Sequence, residues 1–390
     1  MGERALIVFC GLLLAVSAFS VDITLPFFGR ISAELQTPYP LVQASVSIYL
    51  FGIGIGQILF GPLSDRIGRR PTLAIGLGAY LMGTLIALFA TDIGGLLAGR
   101  AVQGVGGAAG PVLGRAILRD RYTGQALAQS MAIAMAIFSF GPIVAPLIGV
   151  GIAEVGGSWR AVFVAMGLLA TALLAALLRV PETLATPEPH ATDPSVMLGN
   201  ARAVIAHPQS RYFLLLAMMA HAGMVSIIVS VPRVYEVQFG ITGALFALLF
   251  AVHGVGIIVG QVANHRLIGR IGAVPTALLA ALLMLATLIA MVALGATGRI
   301  GPYSLSALLA LFAVGYLIVL SNCSSMALEP HGRIAGFTSS FFGLCTLMFG
   351  SVVATVVAAA TAGRLVPWAL ALTGMVVVCV IALRRWTRAH

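Results

Sequence analysis

The chain has 390 residues, 60% of them hydrophobic and 9% charged, with a formal net charge of +10 and a mean hydropathy of +1.05. An ordinary soluble domain carries roughly 25% charged residues, so a water-soluble fold is excluded. The basic residues sit at the ends of apolar runs instead of clustering on a polar domain, which sets aside a nucleic-acid surface and points to membrane topology.

A helix that crosses a bilayer needs about 20 mainly apolar residues, because every backbone N–H and C=O must be satisfied inside the segment. Apolar segments fall at about 5–27, 42–63, 71–90, 94–115, 130–153 and 159–179, then at about 211–232, 243–265, 275–295, 303–322, 336–358 and 366–383. The first has no small-residue cleavage site leading into a polar mature domain and reads as a membrane helix. Between the sixth and seventh lies the longest polar stretch, Pro181 to Ser210, rich in proline and read as a linker without a packed core. The expected fold class is an all-α membrane protein with twelve transmembrane helices in two pseudo-symmetric six-helix halves, residues 1–180 and 211–390, joined by a linker at 181–210.

All 22 basic residues are arginine. With a cytoplasmic N-terminus, sixteen arginines fall inside and five outside, with Arg100 near a helix start. That bias predicts cytoplasmic termini and a cytoplasmic linker, in a multi-pass protein of the cell inner membrane. The four cysteines lie in or beside apolar runs with no metal-ligand spacing and read as buried hydrophobes; no metal is expected.

An internal repeat supports two halves. At an offset of 204 residues Gly52, Gly56 and Gln57 meet Gly256, Gly260 and Gln261, and Arg66-Ile67-Gly68 meets Arg270-Ile271-Gly272. Pro71-Thr72 meets Pro275-Thr276 at the same offset. Parallel halves with a site at their interface suit alternating access. The Gly52-Gly54-Gly56 and Gly104-Gly106-Gly107 runs lie inside membrane segments with no preceding strand, so they read as close helix packing and not as nucleotide loops.

The densest polar stretch is Gly61-Pro62-Leu63-Ser64-Asp65-Arg66-Ile67-Gly68-Arg69-Arg70, between the second and third spans. It resembles the signature loop of the major facilitator superfamily. Arg100-Ala101-Val102-Gln103-Gly104 is similar to the helix-four motif of that family's proton-coupled exporters, and Gly141, Pro142, Pro146 and Gly149 to its helix-five antiporter motif, with Pro146 where glycine is common. Gly157-Ser158-Trp159-Arg160 and Pro181-Glu182-Thr183 look like the flanks of its helix six. A narrower resemblance, to drug:proton antiporters of the bicyclomycin-resistance type (the Bcr/CflA subfamily, which includes amphenicol exporters), rests on Asp22 with Leu25-Pro26, on Gln57, on Arg115 to Asp120, and on Ala335-Gly336 with Ser339, Ser340 and Gly343. It implies a secondary active exporter exchanging small, largely apolar compounds for protons, without cofactor or nucleic-acid partner, working as a monomer in the bilayer. A proton-coupled transporter of one metabolite is the alternative, and an integral membrane enzyme is disfavoured because no nucleophile, acid pair or ligand cluster shares a depth.

Asp22 is the one acid clearly within an apolar run. Burying a charge at the bilayer centre costs about 2.5–3.5 kcal/mol, so such a residue marks an ion or substrate path. It would carry the coupling proton or bind a cationic substrate; the plainer alternative is permanent pairing with an arginine. Arg100 would be its partner in proton coupling or would snorkel to the outer headgroups. Tyr49, Gln57, Met135, Phe138, His221, His253, Tyr316, Asn322 and Phe341 are the other candidates for substrate contact, each also explicable as packing. Gly61, Asp65, Arg66, Gly68, Arg69, Arg70, Arg115 and Arg119 form the expected cytoplasmic gate, with Asp65 facing Arg115 or Arg119 and the start of helix eleven.

Overall fold

The computed structural model describes residues 2–389, and among them every regular element is helical. The first span is α1 (Glu3–Asp22), a 3₁₀ turn (Leu25–Phe27) and α2 (Phe28–Glu34); the second and third are α3 (Tyr39–Ile67) and α4 (Arg69–Leu88). The fourth is broken at Ala108 into α5 (Ile93–Gly107) and α6 (Ala109–Arg121), and α7 (Gly124–Gly156) and α8 (Arg160–Leu177) complete the first half. After α9 (Pro194–Ala206) come α10 (Pro208–Phe239), α11 (Gly243–Ile271), α12 (Ala273–Ala296), α13 (Pro302–Leu328), α14 (Ala335–Thr361) and α15 (Leu365–Ala389).

By length and composition alone, 10 stretches qualify as spans. One of them, residues 302–361, is two helices joined by a 3₁₀ turn at Glu329–Ile334, and the broken fourth span is too short piece by piece to qualify. The described residues therefore make twelve crossings, as the apolar runs predict. Apolar side chains such as Ile75, Met82, Leu248, Ile289 and Val356 stay exposed on the outside of the bundle, where lipid takes the place of water.

The duplication is visible in the helices. α3 and α11 each have 29 residues and begin and end 204 residues apart, and each stops at a glycine with positive φ, Gly68 at 104° and Gly272 at 84°. Such φ values clash with a Cβ, so glycine at this turn is required by geometry. Gly56 faces the Val105 carbonyl of α5 and its mate Gly260 the Val314 carbonyl of α13, so both halves use the same close crossing.

Gly104 is the tightest point of the first-half crossing: a Cβ there would lie 2.1 Å from the Tyr49 carbonyl oxygen. The clash is with backbone and cannot be relieved by a rotamer. Gly104→Ala is expected to cost about 1–3 kcal/mol by overpacking, read as a lowered midpoint of thermal unfolding in detergent.

The linker departs from expectation. It holds a 13-residue helix, α9, which packs against α10 and α14, and Pro194 at its first turn supplies the helix start that the proline count concealed. In helix five, Pro142 and Pro146 each remove a ladder donor, yet α7 runs unbroken over 33 residues. Lining this helix, Gly141 and Gly149 meet Ala18 and Ile23 of the first span, while Pro142 and Ile143 meet Gly254 of α11 in the other half.

The halves touch at both ends. On the face away from the termini, Gln43 Nε2 donates to the Val229 carbonyl at 2.9 Å and Arg233 lies 4.5 Å over the Tyr39 ring. On the arginine-rich face, Gly61 meets Ser340, and Gln57 fills the notch left by the missing side chain of Gly343.

Candidate functional site

The first span stops being an α-helix where Asp22 stands. Pro26 lacks an N–H, so the Asp22 carbonyl has no helical donor, and Thr24 N turns to the Val21 carbonyl at 3.3 Å instead of reaching back to Ser20. The Ser20 carbonyl is left free. Arg100 Nη1 takes it at 3.1 Å and also donates to Gln103 Oε1 at 2.6 Å, with its guanidinium 4.1 Å over the Tyr49 ring.

Around these contacts the first half builds a sealed polar cluster. Tyr49 OH donates to the Ser17 carbonyl at 3.1 Å, Ser20 Oγ and Tyr80 OH share a 2.6 Å hydrogen bond, and Gln103 Nε2 donates to Thr84 Oγ1 at 2.8 Å. Arg100 is 1% exposed, which rules out snorkelling to the headgroups. Its Nε and Nη2 remain without a partner. Asp22 is 4% exposed, lies within electrostatic reach of Tyr49, and makes no ion pair or side-chain hydrogen bond among the described residues. Permanent pairing with an arginine is therefore absent in this state. A buried carboxyl and a buried guanidinium with spare donors, bridged by a tyrosine ring, can exchange a proton against a cationic or hydrogen-bonding ligand without rebuilding the fold.

In the second half, His221 Nδ1 and Tyr316 OH are 2.8 Å apart, with His221 Nε2 buried and unpartnered beside Gly350. His253 is the repeat mate of Tyr49 at the 204-residue offset; it stacks on Phe250, and neither ring nitrogen has a partner. Asn322 is committed elsewhere, its Nδ2 donating to Asn264 Oδ1 at 2.9 Å. Met135 and Phe138 are half-buried on α7, and Phe341 stacks on Phe337. The structure thus brings Tyr49 within reach of both Asp22 and Arg100 and pairs His221 with Tyr316. Gln57 sits apart from both groups, toward the arginine-rich face.

The gate requires a correction. Asp65 does not face Arg115 or Arg119; it pairs with Arg69, whose Nε also donates to Asp120 at 2.9 Å and whose Nη1 donates to Ser64 Oγ at 2.7 Å. The i,i+4 spacing at the end of α3 brings Arg69 to the acid across the Gly68 turn, while Arg115 and Arg119 point from α6 toward α14. Arg66 is exposed and reaches Thr192, and Glu188 N donates to the Asp65 carbonyl at 2.8 Å, so the linker closes over the loop.

Two acids escaped the sequence reading in these roles, although both lay within stretches that carry the family resemblance: Asp120 and Glu182. Glu182 accepts from the backbone N–H groups of Arg69 and Arg70 at 2.9 and 3.0 Å, placing an anion on the N-terminus of α4. Partial burial pushes its carboxyl up, but the four backbone donors of Leu184, Arg69, Arg70 and Thr183 outweigh it and hold the pKa below the ordinary value. A depressed folded-state pKa gives stability that is present above the unfolded value of about 4.3 and is lost as pH falls through the folded value. Glu182→Gln should cost about 0.5–2 kcal/mol locally, as other caps do, and show as faster amide exchange at residues 69–72 with little change at α10.

Twelve crossings in two repeated halves that meet near both faces, each half holding a buried polar cluster, define the class: a secondary-transporter fold. The chain belongs to the Major Facilitator Superfamily, whose family pattern matches residues 10–355. Among similar proteins, the bicyclomycin resistance protein homolog of Haemophilus influenzae is 28% identical, covering 95% of this chain and 93% of that protein. The chloramphenicol resistance protein of Pseudomonas aeruginosa is 27% identical over 86% of this chain and 80% of its own length. These relatives agree with the narrower resemblance. A crystal structure of a D-xylose-proton symporter superposes with a TM-score of 0.80 at 16% identity, covering 98% of this chain and 97% of that one, a likeness of fold.

Proposed function

We propose that the protein exports small, largely apolar antimicrobial compounds in exchange for protons by alternating access. The observation that carries this reading is Asp22, buried and unpaired at the break of the first span and within electrostatic reach of Tyr49, whose ring carries an Arg100 guanidinium with two donors to spare. In this mechanism Asp22 takes up a proton when the pocket opens to the outer side and gives it up on the other side as substrate binds. Arg100, held by the Ser20 carbonyl and Gln103, keeps two unpartnered donors in the same buried cluster for the substrate to meet. The names of the relatives, resistance proteins for bicyclomycin and chloramphenicol, support substrates of that kind.

The arginine-rich face is assigned to the cytoplasm, with both termini and the linker there. The Asp65–Arg69–Asp120 network holds loop, α6 and linker together as the gate on that face, and the Tyr39–Arg233 and Gln43–Val229 contacts close the other. The proton gradient supplies the energy, and one chain forms the whole path. The reading is tested with purified protein in liposomes holding a pH dye and an imposed pH gradient: chloramphenicol or bicyclomycin should trigger proton movement that an uncoupler abolishes. Drug panels that never move a proton in such liposomes would reject it.

A further inference from the structure

The corrected partner of Asp65 leaves a pair of arginines without a counter-ion. Arg115 and Arg119 lie one turn apart on α6, and the acids nearest the loop, Asp65 and Asp120, both go to Arg69. Arg115 donates only its Nε, to its own Pro111 carbonyl at 2.8 Å, and Arg119 makes no hydrogen bond or ion pair among the described residues. Both line a cavity of about 130 Å³, bounded by Gln57 of α3 and by Gly336, Ser339 and Ser340 of α14.

Three features of this cavity ask for the same chemistry. Like charges at i,i+4 repel. α14 begins at Ala335 with no side-chain cap, so its first backbone N–H groups and the positive end of its dipole face the same region. Ser340 is 9% exposed, lines the cavity, and its hydroxyl bonds to nothing among the described residues. The space is large enough for a tetrahedral oxyanion with water beside it. Two guanidinium groups, a hydroxyl and a helix N-terminus are donors for an oxyanion.

We propose that this cavity binds a phosphate-type oxyanion, which bridges the arginines of the first half to the Ser340 hydroxyl and the α14 N-terminus of the second. The donors come from opposite halves, so opening the arginine-rich face pulls them apart. The anion therefore binds the closed form more tightly and shifts the population toward it. A soluble phosphate compound and a lipid headgroup phosphate share this chemistry.

The test uses the full chain in phosphatidylcholine nanodiscs, titrated with inorganic phosphate against sodium chloride at matched ionic strength, with thermal midpoint and amide exchange at residues 335–343 as readouts. A saturable rise in midpoint with slower exchange is expected, and Arg115→Gln, Arg119→Gln and Ser340→Ala should each weaken the apparent phosphate affinity, the arginine variants by about tenfold or more. Arg121→Gln, a change of equal charge at the exposed end of the same helix, should leave the response intact. If free phosphate does nothing but discs with one third phosphatidylglycerol reproduce the rise, and Arg115→Gln and Arg119→Gln remove it, the site is confirmed with a headgroup as its ligand. A response absent in both arms, or equal in the Arg115, Arg119 and Arg121 variants, overturns the proposal.

Discussion

Asp22→Asn is expected to abolish proton-driven export while leaving the protein folded, inserted and at least as heat-stable as the parent. The reason lies in what surrounds the carboxyl. It is buried, and no ion pair or side-chain hydrogen bond holds it among the described residues, so the fold gains nothing from its charge. Asparagine is close to the carboxyl in size and leaves no partner group stranded, so the fold should tolerate the change. Function is another matter. With one proton exchanged per substrate, each unit of pH difference supports about a tenfold concentration ratio, since one unit is worth 1.36 kcal/mol. Asparagine cannot take up a proton, so that ratio should collapse to one. Substrate-for-substrate counterflow needs no proton and should survive. Measurement of both in the same vesicles separates coupling from binding; an Asp22→Asn protein that still accumulates drug uphill would refute the assignment.

Arg100→Lys should cost about a hundredfold in drug-driven proton flux, although the charge is kept. Arg100 uses its planar fork to reach the Ser20 carbonyl and Gln103 Oε1 from one nitrogen while its face lies on Tyr49. Lysine is a point charge on a flexible stem and cannot stack or span this geometry. Small misplacements of a positioned group cost on the order of 10²-fold. Arg100→Ala should lose stability too, because Gln103 and the freed Ser20 carbonyl would be left buried and unsatisfied. Flux assays on inverted vesicles, with thermal unfolding on the same preparations, distinguish the two variants. Full flux in the lysine variant would mean that charge alone suffices.

Much of this protein could be read in the chain. Apolar runs separated by arginine give twelve crossings, and the echo of Arg66-Ile67-Gly68 at Arg270-Ile271-Gly272 predicts the duplication that α3 and α11 display. Asp22 stands out because an acid in an apolar run is costly wherever its helix points. The linker helix was hidden because the prolines around it mark the whole stretch as loop, and it is held by packing against α10 and α14.

The sequence by itself thus determined the crossings, the repeat, the charged loop and the acid in the first span, since hydrophobicity and charge are properties of local stretches. The tertiary structure alone decided the partners. Asp65 meets Arg69 and Asp120 instead of Arg115 or Arg119, and Arg100 turns inward to a carbonyl released by the Thr24 turn. Partner choice depends on helix rotation and crossing, which residues far apart in the chain fix together: Gly104 on the Tyr49 backbone, Gly56 on Val105 and Gly61 beside Ser340. No single stretch of sequence contains that geometry.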